Sequence, residues 1–113
     1  MKVTYDLTAT IDRLNDLIDA GDFDAYDRVF DEYDAKLDEI GASIWHTAKL
    51  DGCVRIDHHG LTYYLHRSSR HDGMQLTAWD ERGPMSHCDL HDADDLATDI
   101  AYERGPIVVT TAA

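Results

Sequence analysis

Residues 22–41 read DFDAYDRVFDEYDAKLDEIG, and this stretch decides the fold because its apolar and its charged residues both repeat at helical spacing. At about 100° per residue, six apolar residues share one arc, with the three-and-four spacing of a core-facing helix face. These residues are Tyr26, Val29, Phe30, Tyr33, Leu37 and Ile40. A second arc, roughly 130° away, carries only carboxylates. We call it the five-aspartate row, and it consists of Asp24, Asp27, Asp31, Asp34 and Asp38.

The five-aspartate row is unfavourable for an isolated helix. It extends for about 21 Å at 1.5 Å per residue, and every one of its five positions is acidic. The opposite flank, by contrast, alternates charge through Arg28, Glu32 and Lys36, which can pair along the helix. Low helix propensity and like-charge repulsion together cost the row about 1–3 kcal/mol. Some feature of the fold or of a partner must offset this cost.

A shorter helix precedes this stretch and repeats its pattern. Thr10 is the predicted N-cap, and the helix is expected to end at residues 20–21. Its predicted apolar face consists of Ile11, Leu14, Leu17 and Ile18. Asp12, Asp16 and Asp19 again follow helical spacing, and we call them the three-aspartate row. The short connection predicts an αα-hairpin, which could set the two rows side by side.

From residue 42 the pattern changes from helical to alternating, which predicts an antiparallel β-meander of about four strands. The predicted strands are 43–50, 53–58, 61–67 and 74–80, with a short edge strand at 85–90. Asp92 is a predicted N-cap for a last helix to about residue 104, and residues 107–111 form a final β-type run. Residues 2–7 are expected to be a short extended arm. The prediction is a single α+β domain over 1–113, with an acidic helical hairpin at 1–41 and a meander plus helix at 42–113.

The charge balance restricts the partners that the protein can bind. Among 113 residues, 23 are acidic, 19 of them Asp, and 10 are basic, for a net charge of −13. Such a charge opposes direct binding to nucleic acid or to an anionic membrane and favours basic proteins or cations. Solubility or salt adaptation would also explain the excess, but neither accounts for its helical spacing.

The cysteines and the N-terminus indicate a cytoplasmic protein. Cys53 and Cys88 are too few for a disulfide scaffold, and free thiols are expected, although one bridge stays open. No apolar run of signal-peptide or membrane-spanning type is present.

Seven histidines make metal binding an alternative. His87, Cys88 and His91 form an H-C-x-x-H sequence, and a meander could bring His66 near it. Zinc sites use such ligands, but no second pair completes a set of four. These four residues are therefore weak candidates, and no cofactor is expected.

The sequence contains no P-loop, dinucleotide fingerprint or nucleophile elbow, so no reaction is indicated. A small enzyme or ligand-binding domain nevertheless stays open as an alternative. Its pocket would lie between the meander and the helices, near Tyr63, Tyr64, Trp79 and His66.

The main hypothesis is that the hairpin presents carboxylates as a substitute for the phosphates of nucleic acid. Proteins that bind duplex DNA lay out Lys and Arg to match its regular charge, and a rigid row of carboxylates could occupy such a surface. In size, acidity and lack of a catalytic motif, the chain is similar in type to small phage or mobile-element proteins that inhibit restriction or CRISPR machinery. The expected partner is a basic, nucleic-acid-handling protein, and the oligomeric state is left open.

Overall fold

The computed structural model describes residues 1–99 and 103–111, and these residues form an α+β fold, as predicted. A six-stranded antiparallel sheet is packed against helices on one face, and an αα-hairpin connects its first strand to its second. The elements are β1 (Lys2–Asp6), α1 (Thr8–Asp19), α2 (Phe23–Asp51), β2 (Cys53–His58), β3 (Leu61–Arg67), β4 (Met74–Asp80), β5 (Gly83–Leu90), α3 (Ala93–Asp99) and β6 (Pro106–Thr111).

The strand order is β1-β6-β2-β3-β4-β5, and every neighbouring pair is antiparallel. Strands β2 to β5 form the meander, in which apolar side chains alternate with polar ones so that one face is buried. The final strand β6 lies between β1 and β2. The extended arm at the N-terminus is therefore a strand of the sheet.

Helix α2 is longer than predicted, and the predicted strand at 43–50 is wrong. The helix has 29 residues, continues through Gly41 and ends at Asp51, where Gly52 adopts a left-handed φ of 85°. A glycine inside a helix costs about 1 kcal/mol, but Ile44 and Ala48 continue the apolar spacing and are almost fully buried. Burial of that second half outweighs the glycine.

The predicted N-cap at Thr10 is also wrong, because α1 begins at Thr8. The Thr8 backbone N–H donates to Asp6 Oδ1 at 2.9 Å, so a carboxylate from the end of β1 satisfies the first turn. Hydrogen bonds from Thr8 lower the pKa of this carboxyl group. At the hairpin connection, Asp22 caps α2 by accepting from the Ala25 N–H.

The last helix is capped by Asp92 as predicted, since Asp92 Oδ1 accepts from the Asp95 N–H at 3.0 Å. The predicted end near residue 104 is too late. The helix is described as Ala93–Asp99, and Glu103 and Arg104 are not helical; the predicted positions 100–102 lie outside the described residues.

The core lies between the sheet and the second half of α2. Ile40, Ile44 and Ala48 of α2 pack with strand residues such as Ile56 and Leu65. The first half of α2 packs mainly on α1 instead. The longest dimension of the molecule is 47 Å, and a helix of 29 residues extends for about 43 Å at 1.5 Å per residue. Helix α2 therefore spans the molecule, with one half in the core and the other in the hairpin.

Candidate partner-binding surface on the helical hairpin

The five-aspartate row lies in the hairpin half of α2, and all five of its side chains are exposed. Within residues 1–99 and 103–111, none of these carboxylates forms an ion pair or accepts a side-chain hydrogen bond. Lys36 of α2 is directed elsewhere, since it is close to Glu32 and to Thr10 of α1. The row is thus a line of charge that the described part of the chain does not neutralise.

The three-aspartate row is only partly free. Asp12 is half-buried and forms an ion pair with Arg104: Nη2 donates a hydrogen bond to Oδ2 at 3.0 Å, and Nε lies 2.8 Å from Oδ1. Asp16 and Asp19 are exposed. No spacing in the sequence could have joined Arg104 to Asp12, because the two are 92 positions apart.

The two aspartate rows lie on opposite outer flanks of the hairpin, not side by side. Lys36 Nζ donates to Thr10 Oγ1 at 3.1 Å, and Arg13 Nη1 lies 3.6 Å from Glu32 Oε2. On the helical wheel, Glu32 and Lys36 are about 140° from the five-aspartate row, and Thr10 and Arg13 are about 120° from the three-aspartate row. Each row therefore faces away from the neighbouring helix.

An apolar groove runs along the hairpin between these two rows. We call it the aromatic groove; it has a volume of about 390 Å³ and is bounded at one end by Glu103 and Arg104. The Tyr26 and Phe30 rings are 5.9 Å apart, and the Phe30 and Tyr33 rings are 6.0 Å apart. Its hairpin walls consist of Ile11, Leu14, Asn15, Ile18, Tyr26, Phe30 and Tyr33.

Much of the apolar surface around the groove is exposed. Phe30 is 39% exposed, Ile18 is 48% exposed, and Phe23, one helical turn before Tyr26, is 64% exposed. The sequence placed Phe30 on the core face, but the core covers only the arc next to it. Since monomeric proteins seldom leave several large apolar side chains adjacent and uncovered, this surface is a candidate contact site.

The electrostatic effect of the row is visible at Tyr33. Burial raises the pKa of the Tyr33 hydroxyl, and the negative charge of Asp34 raises it further. The charge of Asp34 in the five-aspartate row thus acts on Tyr33, which lines the aromatic groove.

Three of the four weak metal candidates, Cys88, His91 and His66, have described side chains. Among the described side chains, no three His, Cys, Asp or Glu residues are arranged to hold a metal ion. Cys88 Sγ is 3.9 Å from the Leu76 carbonyl oxygen, and His66 contacts its neighbouring backbone. The His91 ring lies 4.9 Å from that of His71. His87 pairs with Thr77 in the sheet, and its side chain lies outside the described part. Cys53 and Cys88 are not joined to each other by a disulfide.

The residues that were expected to line a small-molecule pocket between the meander and the helices lie on two faces of the sheet. Tyr63 is buried in the core, whereas Tyr64 and Trp79 lie on the opposite face of the sheet with an edge-to-face contact of 6.5 Å. A shallow cavity of about 370 Å³ is found there, lined by Arg55, Thr62, Tyr64 and Trp79.

Arg55 in this cavity is held by Asp57. The two make a bidentate contact, at 2.9 Å and 3.1 Å, and Thr62 Oγ1 donates to Asp57 at 2.8 Å. Burial by itself raises the pKa of Asp57. The hydrogen bonds from Arg55 and Thr62 lower this pKa by more than burial raises it, so the net pKa lies below 3.8. Because Asp57 already compensates its charge, Arg55 is not a free anion-binding group.

His58 has a structural role at the neighbouring turn. Its side chain is buried, and Nε2 accepts from the Glu103 N–H at 2.8 Å. A nitrogen that accepts carries no proton in the neutral ring, so the proton is assigned to Nδ1, which is 3.0 Å from the Pro106 carbonyl oxygen. The ring thereby ties β2 to the segment that leads into β6.

No helix of the described residues is both long enough and apolar enough to cross a membrane. Protein-family models, curated proteins and solved structures were compared with the chain, and none of them matches.

Proposed function

We propose that this protein is an acidic interaction module that binds a basic partner protein through the hairpin. The observation that supports the proposal is the five-aspartate row, whose carboxylates are all exposed and have no ion pair among the described residues. The row would supply the negative charge that attracts the basic partner to the binding surface.

The five-aspartate row is present although it destabilises the helix. Glu would provide the same charge with better helix propensity, and alternating Lys or Arg would replace repulsion by attraction. Asp has a shorter side chain and therefore fixes its charge near the helix with less loss of rotamer entropy. A rigid line of charge is useful for recognition and unnecessary for solubility.

The charge spacing supports a partner that normally handles nucleic acid. Five charges over about 21 Å correspond to one per roughly 5 Å, against one per 3.4 Å along a single strand of duplex DNA. Because the two rows lie on opposite flanks, the hairpin resembles one phosphate strand more than a double-stranded groove. We therefore propose an inhibitor or regulator that occupies a basic surface by mimicking one strand, as anti-restriction and anti-CRISPR proteins of phages and mobile elements would.

The proposed location is the cytoplasm, where Cys53 and Cys88 would stay reduced. A partner that handles nucleic acid would be met in the same compartment. Direct binding of nucleic acid is not part of the proposal, because a net charge of −13 opposes it.

The test is a pulldown from host lysate at low salt with three forms of the protein. The wild type is compared with the D27N/D31N/D34N variant and with a charge-matched control, D51N/D72N/E81Q, whose three positions are exposed and outside the row. The captured protein is then titrated in purified form. We expect the row variant to lose about tenfold or more in affinity and the control to keep most of it.

Competition separates a nucleic-acid mimic from a general acidic binder. If the row substitutes for phosphates, duplex DNA should displace the protein from its captured partner. Equal affinity of the row variant and the wild type would reject the proposal, and binding that DNA does not compete would reject its nucleic-acid-mimicking part.

A further inference from the structure

The aromatic groove and the two aspartate rows form one continuous surface. Around the hairpin, the order is the five-aspartate row, then Phe30 and Tyr26 of α2, then Ile18 of α1, then the three-aspartate row. On the helical wheel, Phe30 is about 40–60° from Asp27 and Asp34, so these carboxylates stand directly beside the ring. The surface is apolar along its centre and negative along both edges.

The two negative edges differ in the number of carboxylates that have no ion pair among the described residues. On the α2 edge, Asp27, Asp31 and Asp34 are exposed and have no ion pair within the described ranges. On the α1 edge, Asp16 and Asp19 are exposed, while Asp12 is compensated by Arg104. Negative charge is therefore densest beside Phe30 and toward the tip of the hairpin.

We propose that the aromatic groove binds an amphipathic α-helix of a partner protein, with an apolar stripe flanked on both sides by Lys or Arg. The proposal rests on the function proposed above and names the structural element that the surface accepts. Two antiparallel helices leave a groove that a third helix fills at the usual 8–10 Å axial separation. Apolar anchors at i, i+3, i+4 and i+7 of the bound helix would contact Tyr26, Phe30 and Ile18.

Charge complementarity identifies the occupant. A second copy of this chain would bring the same negative edges and a further net charge of −13, so a groove-to-groove dimer would place like charges opposite each other. An extended or unstructured basic chain would satisfy the carboxylates but leave the aromatic rings uncovered. A basic amphipathic helix satisfies both.

The length of the groove sets the size of the bound helix. From Ile11 to Ile18 the α1 wall extends for about 10 Å, and exposed Phe23 lengthens the apolar surface at the tip. Allowing for flanking turns, a peptide of about 14 residues covers it.

The test uses two synthetic peptides of identical composition. Both have 14 residues, leucine and lysine only; in one the leucines follow helical three-and-four spacing, and in the other the same residues are permuted so that no apolar stripe forms. Affinity for the full chain is measured by fluorescence anisotropy at low salt. We expect the patterned peptide to bind about ten- to hundredfold more tightly, since burial of one or two aromatic rings distinguishes the two complexes.

Two variants locate the effect. F23A/F30A removes the exposed rings and should abolish the difference between the peptides. L50A/M85A removes two exposed apolar side chains elsewhere, at 70% and 57% exposure, and should preserve it. Circular dichroism of each variant confirms that the comparison is between folded proteins.

The outcomes separate the groove from the function on which it rests. If both peptides bind equally and D27N/D31N/D34N weakens both, the groove proposal is overturned and the acidic module stands. If neither peptide binds, or the permuted one binds more tightly, the groove proposal is also overturned. If F23A/F30A instead abolishes a dimer detected by sedimentation, the occupant is a second copy and the proposal is wrong.

Discussion

Removing the central charges of the five-aspartate row should stabilise the protein. The perturbation is D27N/D31N/D34N, which keeps side-chain size and nearly the same helix propensity. Asp24 is left in place because a negative charge in the first turn of α2 interacts favourably with the helix dipole. The variant therefore changes the repulsion along the row and little else.

The magnitude follows from the spacing of the row. Neighbouring aspartates stand three or four residues apart, and the three substitutions remove the repulsion of every neighbouring pair, four in all. At about 0.2–0.5 kcal/mol per pair, the gain is about 1–2 kcal/mol. For a domain of this size that corresponds to a rise of roughly 4–8 °C in Tm.

The assay is thermal unfolding followed by circular dichroism at two salt concentrations. At about 0.01 M salt the Debye length is about 30 Å and the gain should be full; at 1 M it is about 3 Å, shorter than the pair separation, and the gain should vanish. The control D51N/D72N/E81Q changes the net charge equally but leaves the row intact. A control as stabilised as the row variant, or a row variant no more stable than wild type at low salt, would refute the reasoning.

Three further predictions concern the sheet. His58→Ala leaves two part-buried backbone groups without their partner, so the free energy of unfolding in urea should fall by about 1–3 kcal/mol; a loss below about 0.5 kcal/mol would contradict the assigned role. Gly73→Ala places a Cβ 2.0 Å from the Leu90 carbonyl oxygen, and should destabilise by at least about 2 kcal/mol in the same measurement. The pKa of Asp57 is lowered from 3.8 in the folded state, so its contribution is complete above that pH and is lost as the pH falls through the folded value. Stability from pH 6 to pH 3 should therefore fall less steeply in Asp57→Asn than in the wild type, and parallel curves would show that the bond to Arg55 is not retained in solution.

Strand positions in the meander were predictable because one face of the sheet is buried and the other is not. The predicted 53–58, 61–67 and 74–80 coincide with β2, β3 and β4. Residues 43–50 also contain alternating apolar positions, but Ile40, Ile44 and Ala48 fit a helical period equally well. Whether residues 43–50 form a helix or a strand depends on which side chains the tertiary structure buries, and the periodicity of a single sequence does not give this information.

The candidate surface consists of charged rows and an aromatic groove, and only the five-aspartate row could be predicted from the sequence. The five-aspartate row follows from spacing alone, because exposed charges need no partner to be located on a helix. The aromatic groove does not follow from spacing, because its position depends on which flank of α2 packs against α1. The contacts of Thr10 with Lys36 and of Arg13 with Glu32 show which flank of α2 faces α1. The apolar and charged spacing of the sequence would be the same whether or not these contacts formed.

The length of α2 explains how the fold tolerates an unfavourable charged row. Helix formation is limited by nucleation, and an acidic segment of about 15 residues would be marginal by itself. In α2 the buried second half, fixed against the sheet by Ile44 and Ala48, supplies the nucleus, so the acidic half needs only to be propagated from it. Because one helix runs through Gly41, the buried second half of α2 stabilises the acidic first half. The acidic half itself makes little contribution to the core. The hairpin half can then keep exposed aromatic rings beside carboxylates that have no ion pair among the described residues, which is the combination that a basic amphipathic helix would complete.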